Sequence, residues 1–112
     1  MSEDLYPPII RDLPLVDLPF KGIHGYLLQG ACRQVVFFEI EATAEIPEHS
    51  HGAQWGVVLE GELELTIAGV THPYRQGDSY YIPADAAHSV IFKGHVKALD
   101  VFAEANRYRA IG

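Results

Sequence analysis

An all-β fold, a small sandwich or barrel of short antiparallel strands, is what this sequence predicts, and three observations predict it. Short apolar runs rich in β-branched and aromatic residues recur between Gly, Pro and Asp punctuation. No stretch before about residue 103 carries the apolar period of a helix. The chain has 112 residues, 48% of them hydrophobic, which is the size and composition of one domain able to bury roughly two-thirds of its unfolded surface. Many short strands with closely spaced turns suit a sandwich or barrel.

Taken in order, the first segment carries Pro7, Pro8, Pro14 and Pro19 between Leu5, Ile9, Ile10, Leu13, Leu15 and Leu18. Prolines at that density exclude a helix or a central strand. Residues 1–20 therefore read as an extended arm packed across the outside of a single domain at 21–112. Within that domain, strands are expected over 26–28, 33–41, 55–59, 63–68, 79–82, 88–92 and 96–102. The breaks between them hold Gly22, Gly25, Gly30, Pro47, Gly61, Gly69, Gly77, Pro83 and Gly94. Residues 104–109 suit one turn of helix. The run Val35, Val36, Phe37 and Phe38 does not alternate, so both faces of its strand should be covered, by the arm or by a second subunit. A homodimer is the expectation.

Charge narrows the choice of partners. Lys and Arg total 8 against 15 Asp and Glu, a net charge of −7. A surface of that sign repels phosphate, so nucleic acid and anionic membranes are excluded as partners. No apolar run approaches the roughly 18 residues that span a bilayer. Met1, Ser2, Glu3 and Asp4 are acidic where a secretory signal is basic. The single cysteine, Cys32, cannot form an internal disulfide and reads as a small buried hydrophobe. A cytoplasmic protein is expected.

The chemistry concentrates in the histidines. His49-Ser50-His51 follows Pro47 at the entrance to a strand. In extended chain a two-residue spacing turns both imidazoles to one face, where they can chelate a divalent metal. Gln54 follows three residues on, opening a run that ends at Gly61, and a further histidine, His88, stands at a later strand start. Trp55 points away from the metal side and suits packing between layers or subunits. Tyr80 and Tyr81 fall on opposite faces, so one of them looks inward. His24, His72 and His95 read as solvated histidines in turns or at strand edges.

The block from His49 to Gly61, and the block Gly77-Asp78-Ser79-Tyr80-Tyr81-Ile82-Pro83-Ala84-Asp85-Ala86-Ala87-His88, together resemble the two signatures of the cupin family. The resemblance implies a double-stranded β-helix, or jelly-roll barrel. It also implies one metal inside the barrel, held by His49, His51, Gln54 and His88. Two departures stand out: Gln54 replaces the usual Glu and comes two residues sooner than in many members, and Asp85 replaces a Gly, which a turn tolerates. With a neutral amide in place of Glu, a divalent ion keeps its full charge and favours an anionic ligand. Nitrogen and oxygen donors admit Mn, Fe, Co, Ni or Zn.

Asp100 and Phe102 share one face of the last strand; an Asp there is either outward, solvated or bonded to a neighbouring strand, or inward, where burial is costly unless it is paired or close to a metal. Pro-Glu-His-Ser-His, the Gln, Val-Leu-Glu-Gly-Glu-Leu-Glu-Leu-Thr-Ile, Gly-Asp-Ser-Tyr-Tyr-Ile-Pro and Asp-Val-Phe resemble the KdgF-type pectin-degradation cupins. These open the ring of 4,5-unsaturated uronates to linear keto-acids. The resemblance implies a small anionic sugar-acid substrate, with Asp100 as acid and base and Phe102 shaping the pocket. It also implies an arginine beyond Asp100, for which Arg107 and Arg109 both stand in reach. A metal-dependent dioxygenase of another small molecule and a non-catalytic ligand-binding sensor are the alternatives on the same scaffold.

Overall fold

The computed structural model describes residues 5–111, so Met1 to Asp4, where the expected arm begins, and Gly112 lie outside the described residues. Among the described residues nine strands follow one short helix, α1 (Pro8–Arg11): β1 (Ile23–Gln29), β2 (Gln34–Ile40), β3 (Ala44–His49), β4 (Gln54–Glu60), β5 (Glu62–Ile67), β6 (Val70–Arg75), β7 (Ser79–Ile82), β8 (His88–Phe92) and β9 (Val96–Phe102). All pair antiparallel, in a five-stranded sheet ordered β1-β2-β9-β4-β7 and a four-stranded sheet ordered β3-β8-β5-β6. The sheets enclose the core as a jelly-roll barrel.

Alternation explains which side chains fill it. Along β2, Gln34, Val36, Phe38 and Ile40 are buried while Val35, Phe37 and Glu39 are half-buried on the other face. Val58 on β4, Leu63 and Leu65 on β5, and Ile82 on β7 meet them inside. The seven expected strands all form, the first longer than its expected span.

Two strands, β3 and β6, were not expected. Both are outer strands of the smaller sheet, and both contain a proline, Pro47 and Pro73. An edge strand needs only one side of its backbone bonded, so a proline facing outward is tolerated there.

The prolines do not exclude a helix either, and that expectation is corrected by α1. Pro7 stands just before it and Pro8 at its first turn, where a backbone N–H has no intrahelical partner to lose. The turn carries Tyr6 onto the outside of the large sheet. There its hydroxyl donates to the Phe38 carbonyl at 2.8 Å, and its ring meets Tyr26 and Phe37 edge to face. Beyond the helix, Leu15 bridges to Tyr26 and Val16 to Ala110.

At the other end, residues 104–109 form turns rather than the expected helical turn. The buried Gln34 amide ties that segment down, donating to the Tyr108 carbonyl at 2.8 Å and accepting from the Tyr108 N–H at 2.9 Å. Cys32 is exposed, not buried, because residues 30–33 form the solvent-facing turn between β1 and β2. Among the described residues no helix is long and apolar enough to cross a membrane.

Candidate metal centre

Local irregularity builds the histidine cluster. The pairing of β3 with β8 slips between Ile46 and His49, where Pro47 offers no N–H to the ladder. After the slip, His49 at the exit of β3 lies directly opposite His88 at the start of β8. His51 follows in the connection to β4. Asp85, in left-handed conformation at φ 65°, donates its N–H to the His51 carbonyl at 2.8 Å and so joins the two histidine-bearing segments. The ring centroids lie 4.2 Å apart for His49 and His88, 4.8 Å for His51 and His88, and 5.2 Å for His49 and His51. One ring nitrogen from each of the three lies within 4.8 Å of the others.

The donor set fits a divalent ion. Each Nδ1 faces a backbone carbonyl: Pro47 for His49 at 2.9 Å, Gly52 for His51 at 2.8 Å and Ala86 for His88 at 2.9 Å. A carbonyl only accepts, so each Nδ1 carries the proton and each Nε2 keeps its lone pair for a metal. Burial pushes the His51 pKa down to about 4 and lowers that of His88 as well, with the Arg107 charge adding to both. Neutral imidazoles are the form that coordinates.

Gln54 opens β4, between Phe102 on β9 and Ile82 on β7. Its Nε2 donates to Asp100 Oδ1 at 2.9 Å, and the Tyr80 hydroxyl donates to the same oxygen at 2.8 Å. Asp100, Gly56 and Tyr80 stand in register across β9, β4 and β7. The glycine is required: a Cβ there would overlap Asp100 Oδ1 and lie 2.5 Å from the Tyr80 ring. Burial lifts the Asp100 pKa to about 6, although both hydrogen bonds pull it down. No hydrogen bond engages its other oxygen among the described residues.

Asp100, Gln54, His49, His51 and His88 all line an inner cavity of about 50 Å³, whose remaining wall is mostly apolar. Phe102 does not line it. That ring is buried behind, against His51 at 5.8 Å and Tyr108 at 5.1 Å, and Tyr108 forms the wall instead. An outer cavity of about 440 Å³ shares His49, Ile46, Phe38 and Tyr108 with the inner one. Arg107 and Arg109 both line it. Arg107 is the one whose charge reaches His51 and His88, and its Nε is buried without a hydrogen-bond partner among the described residues. Its guanidinium stacks 4.5 Å from the Tyr108 ring centroid.

Sequence reasoning left Tyr80 undecided and missed Tyr108 and Gln34. Tyr80 was within reach, because it shares a strand face with Ile82. Tyr108 and its anchor Gln34 carry no periodic signal.

The fold and the cluster place the chain in the cupin family, whose cupin domain matches residues 36–102, over half of its length. Among solved structures, an RmlC-like cupin from Shewanella frigidimarina matches with a TM-score of 0.76 at 22% identity, over 86% of this chain and 88% of that one. KdgF from Halomonas sp. matches with a TM-score of 0.72 at 20% identity, over 82% and 86%. Oxalate decarboxylase from Bacillus subtilis matches with a TM-score of 0.73 at 22% identity, over 86% of this chain but 28% of that one. At these identities the likeness is one of fold. A search of curated proteins returns no match.

Proposed function

We propose that this cupin is a metal-dependent enzyme that opens the ring of 4,5-unsaturated uronates to linear keto-acids, as the KdgF-type cupins it resembles do. One observation carries the reading: a buried carboxylate with an uncommitted oxygen shares a cavity with three histidines whose Nε2 atoms are free. The likeness to Halomonas KdgF supports the scaffold, and the match of His49, His51, Gln54, His88 and Asp100 to the KdgF-type pattern supports the chemistry.

Held by His49, His51, Gln54 and His88, a divalent ion would supply a Lewis acid beside Asp100. The inner cavity admits only the reacting edge of a sugar acid, so the bulk of the ring lies in the outer one. There the guanidinium of Arg107, which lines that cavity, holds the substrate carboxylate. Asp100 accepts the proton of the anomeric hydroxyl as the C1–O bond to the ring oxygen breaks and C1 becomes an aldehyde. The freed electron pair leaves an enolate across C4 and C5. Asp100 returns the proton to C4, which leaves a ketone at C5 and no net change in composition. Leu63, Leu65, Ile82 and Phe92 around this carboxylate keep bulk water away. The same reading takes the working unit to be a homodimer.

Loss of the conjugated uronate's ultraviolet absorbance, measured with metal-loaded protein against the spontaneous rate, tests the proposal. Acceleration supports it. No acceleration on any unsaturated uronate, with metal verified as bound, overturns it.

A further inference from the structure

We infer that Asp100 has a second task as a positioning residue for Gln54, holding its amide with nitrogen inward so that the oxygen is presented to the three histidines. The inference rests on the metal site of the proposed function but not on its uronate chemistry.

The two ends of an amide have the same shape, and only its partners decide which end points where. Asp100 Oδ1 takes two hydrogen bonds, from Gln54 at 2.9 Å and from the Tyr80 hydroxyl at 2.8 Å. The hydroxyl has no other acceptor among the described residues, so Oδ1 acts as an acceptor towards both neighbours. An acceptor demands the NH₂ end of Gln54. The Oε1 end is then left for the cavity that Gln54 shares with His49, His51 and His88.

Three features make the arrangement stiff. Asp100 is only 2% exposed, so no solvent competes for Oδ1. Gly56 leaves the gap that Oδ1 and the Tyr80 ring occupy together. The three residues lie on adjacent, hydrogen-bonded strands. The same arrangement accounts for Gln rather than Glu at position 54. A Glu would set carboxylate oxygen against carboxylate oxygen in a buried site, which is costly unless one of the two takes up a proton.

Cobalt(II) titration, followed by visible absorbance against a competing chelator, reads the effect on both affinity and ligand field. Asp100→Asn keeps an acceptor oxygen and should bind within about threefold of the unaltered protein. Asp100→Ala removes the acceptor and should weaken binding roughly 10-fold or more, the usual effect of losing a group that orients a ligand. Its cobalt spectrum should match that of Gln54→Ala. The double variant Gln54→Ala/Asp100→Ala should bind no more weakly than Gln54→Ala, because Asp100 acts through the amide.

If Asp100→Ala fails to fold, Gln54→Glu replaces it as the test. Glu should gain at least about tenfold more affinity in the Asp100→Asn background than beside Asp100, since Asn can donate to it. Unchanged affinity and spectrum in Asp100→Ala, or singles whose losses multiply in the double, would overturn the inference. So would equal gains from Glu in both backgrounds. These titrations need no uronate, so they fail or succeed apart from the turnover assay.

Discussion

At Asp100 two demands meet in one carboxylate: Oδ1 is committed to Gln54 and Tyr80, and the other oxygen is left to the cavity. Asp100→Asn therefore separates them. It should keep fold and metal content while lowering turnover about 10²-fold or more, the usual worth of a general acid and base. Full activity in that variant would discard the proton transfer assigned to Asp100. Gly56→Ala forces a methyl group into Asp100 and Tyr80, and should destabilise the fold by about 1–3 kcal/mol, read as a lower thermal midpoint.

The metal-free protein should also show opposed responses to acid. His51, depressed to about 4 in the fold, takes up its proton in the unfolded chain first, so stability is lost as pH falls from about 6.5 towards 4. Asp100, raised to about 6, takes up its proton in the fold first and adds stability as pH falls from about 6 towards 4. Denaturant unfolding after chelation should thus show Asp100→Asn losing stability more steeply over that window than the unaltered protein. At this scale the two-residue spacing picked out His49 and His51 and put Asp100 on one face with Phe102, while the resemblance to the cupin signatures supplied Gln54 and His88. Tyr108, and the choice between Arg107 and Arg109, were not legible, because these residues lie in or beside turns whose path is set by the distant Gln34.

Elements were legible where β-branched and aromatic residues run together. β2 and β9 lie inside the large sheet and carry runs of Val, Phe and Leu, so they stand out from the sequence. β3 and β6 sit at the edges of the small sheet, with no buried residue and a proline each, and composition alone reads them as loops. The slip that Pro47 permits in β3 is nonetheless what brings His49 opposite His88. The segment around α1 follows the same lesson, since prolines that bar a long helix allow a single turn. Tyr6, buried to 3% exposure, anchors it. Tyr6→Phe should cost about 1 kcal/mol for the lost hydrogen bond, and Tyr6→Ala about 3–5 kcal/mol for the emptied space. Chemical denaturation of the two variants checks the difference, and equal losses would mean that the ring's packing contributes nothing.

Across the whole molecule, the two sheets face one another with the histidines at one end of the barrel, and the outside of the large sheet is the surface left over. Leu28, Val35, Val101, Trp55 and Tyr81 stand in register across all five of its strands. Leu28, Trp55 and Tyr81 are 50%, 43% and 58% exposed. Trp55 therefore points out of the barrel, as its neighbour Gln54 points in. A second copy meeting this row about a twofold axis would cover it on both partners at once. Light scattering should give a dimer at micromolar concentration and a monomer for Trp55→Glu. A monomeric unaltered protein would defeat the dimer.

Everything proposed for the site depends on the ion, and metal content measures it most directly. Protein purified without added metal should carry one divalent ion per chain by elemental analysis, and His51→Ala, folded to the same extent, should carry little or none. Equal metal content in the two proteins would contradict a centre built from His49, His51, Gln54 and His88.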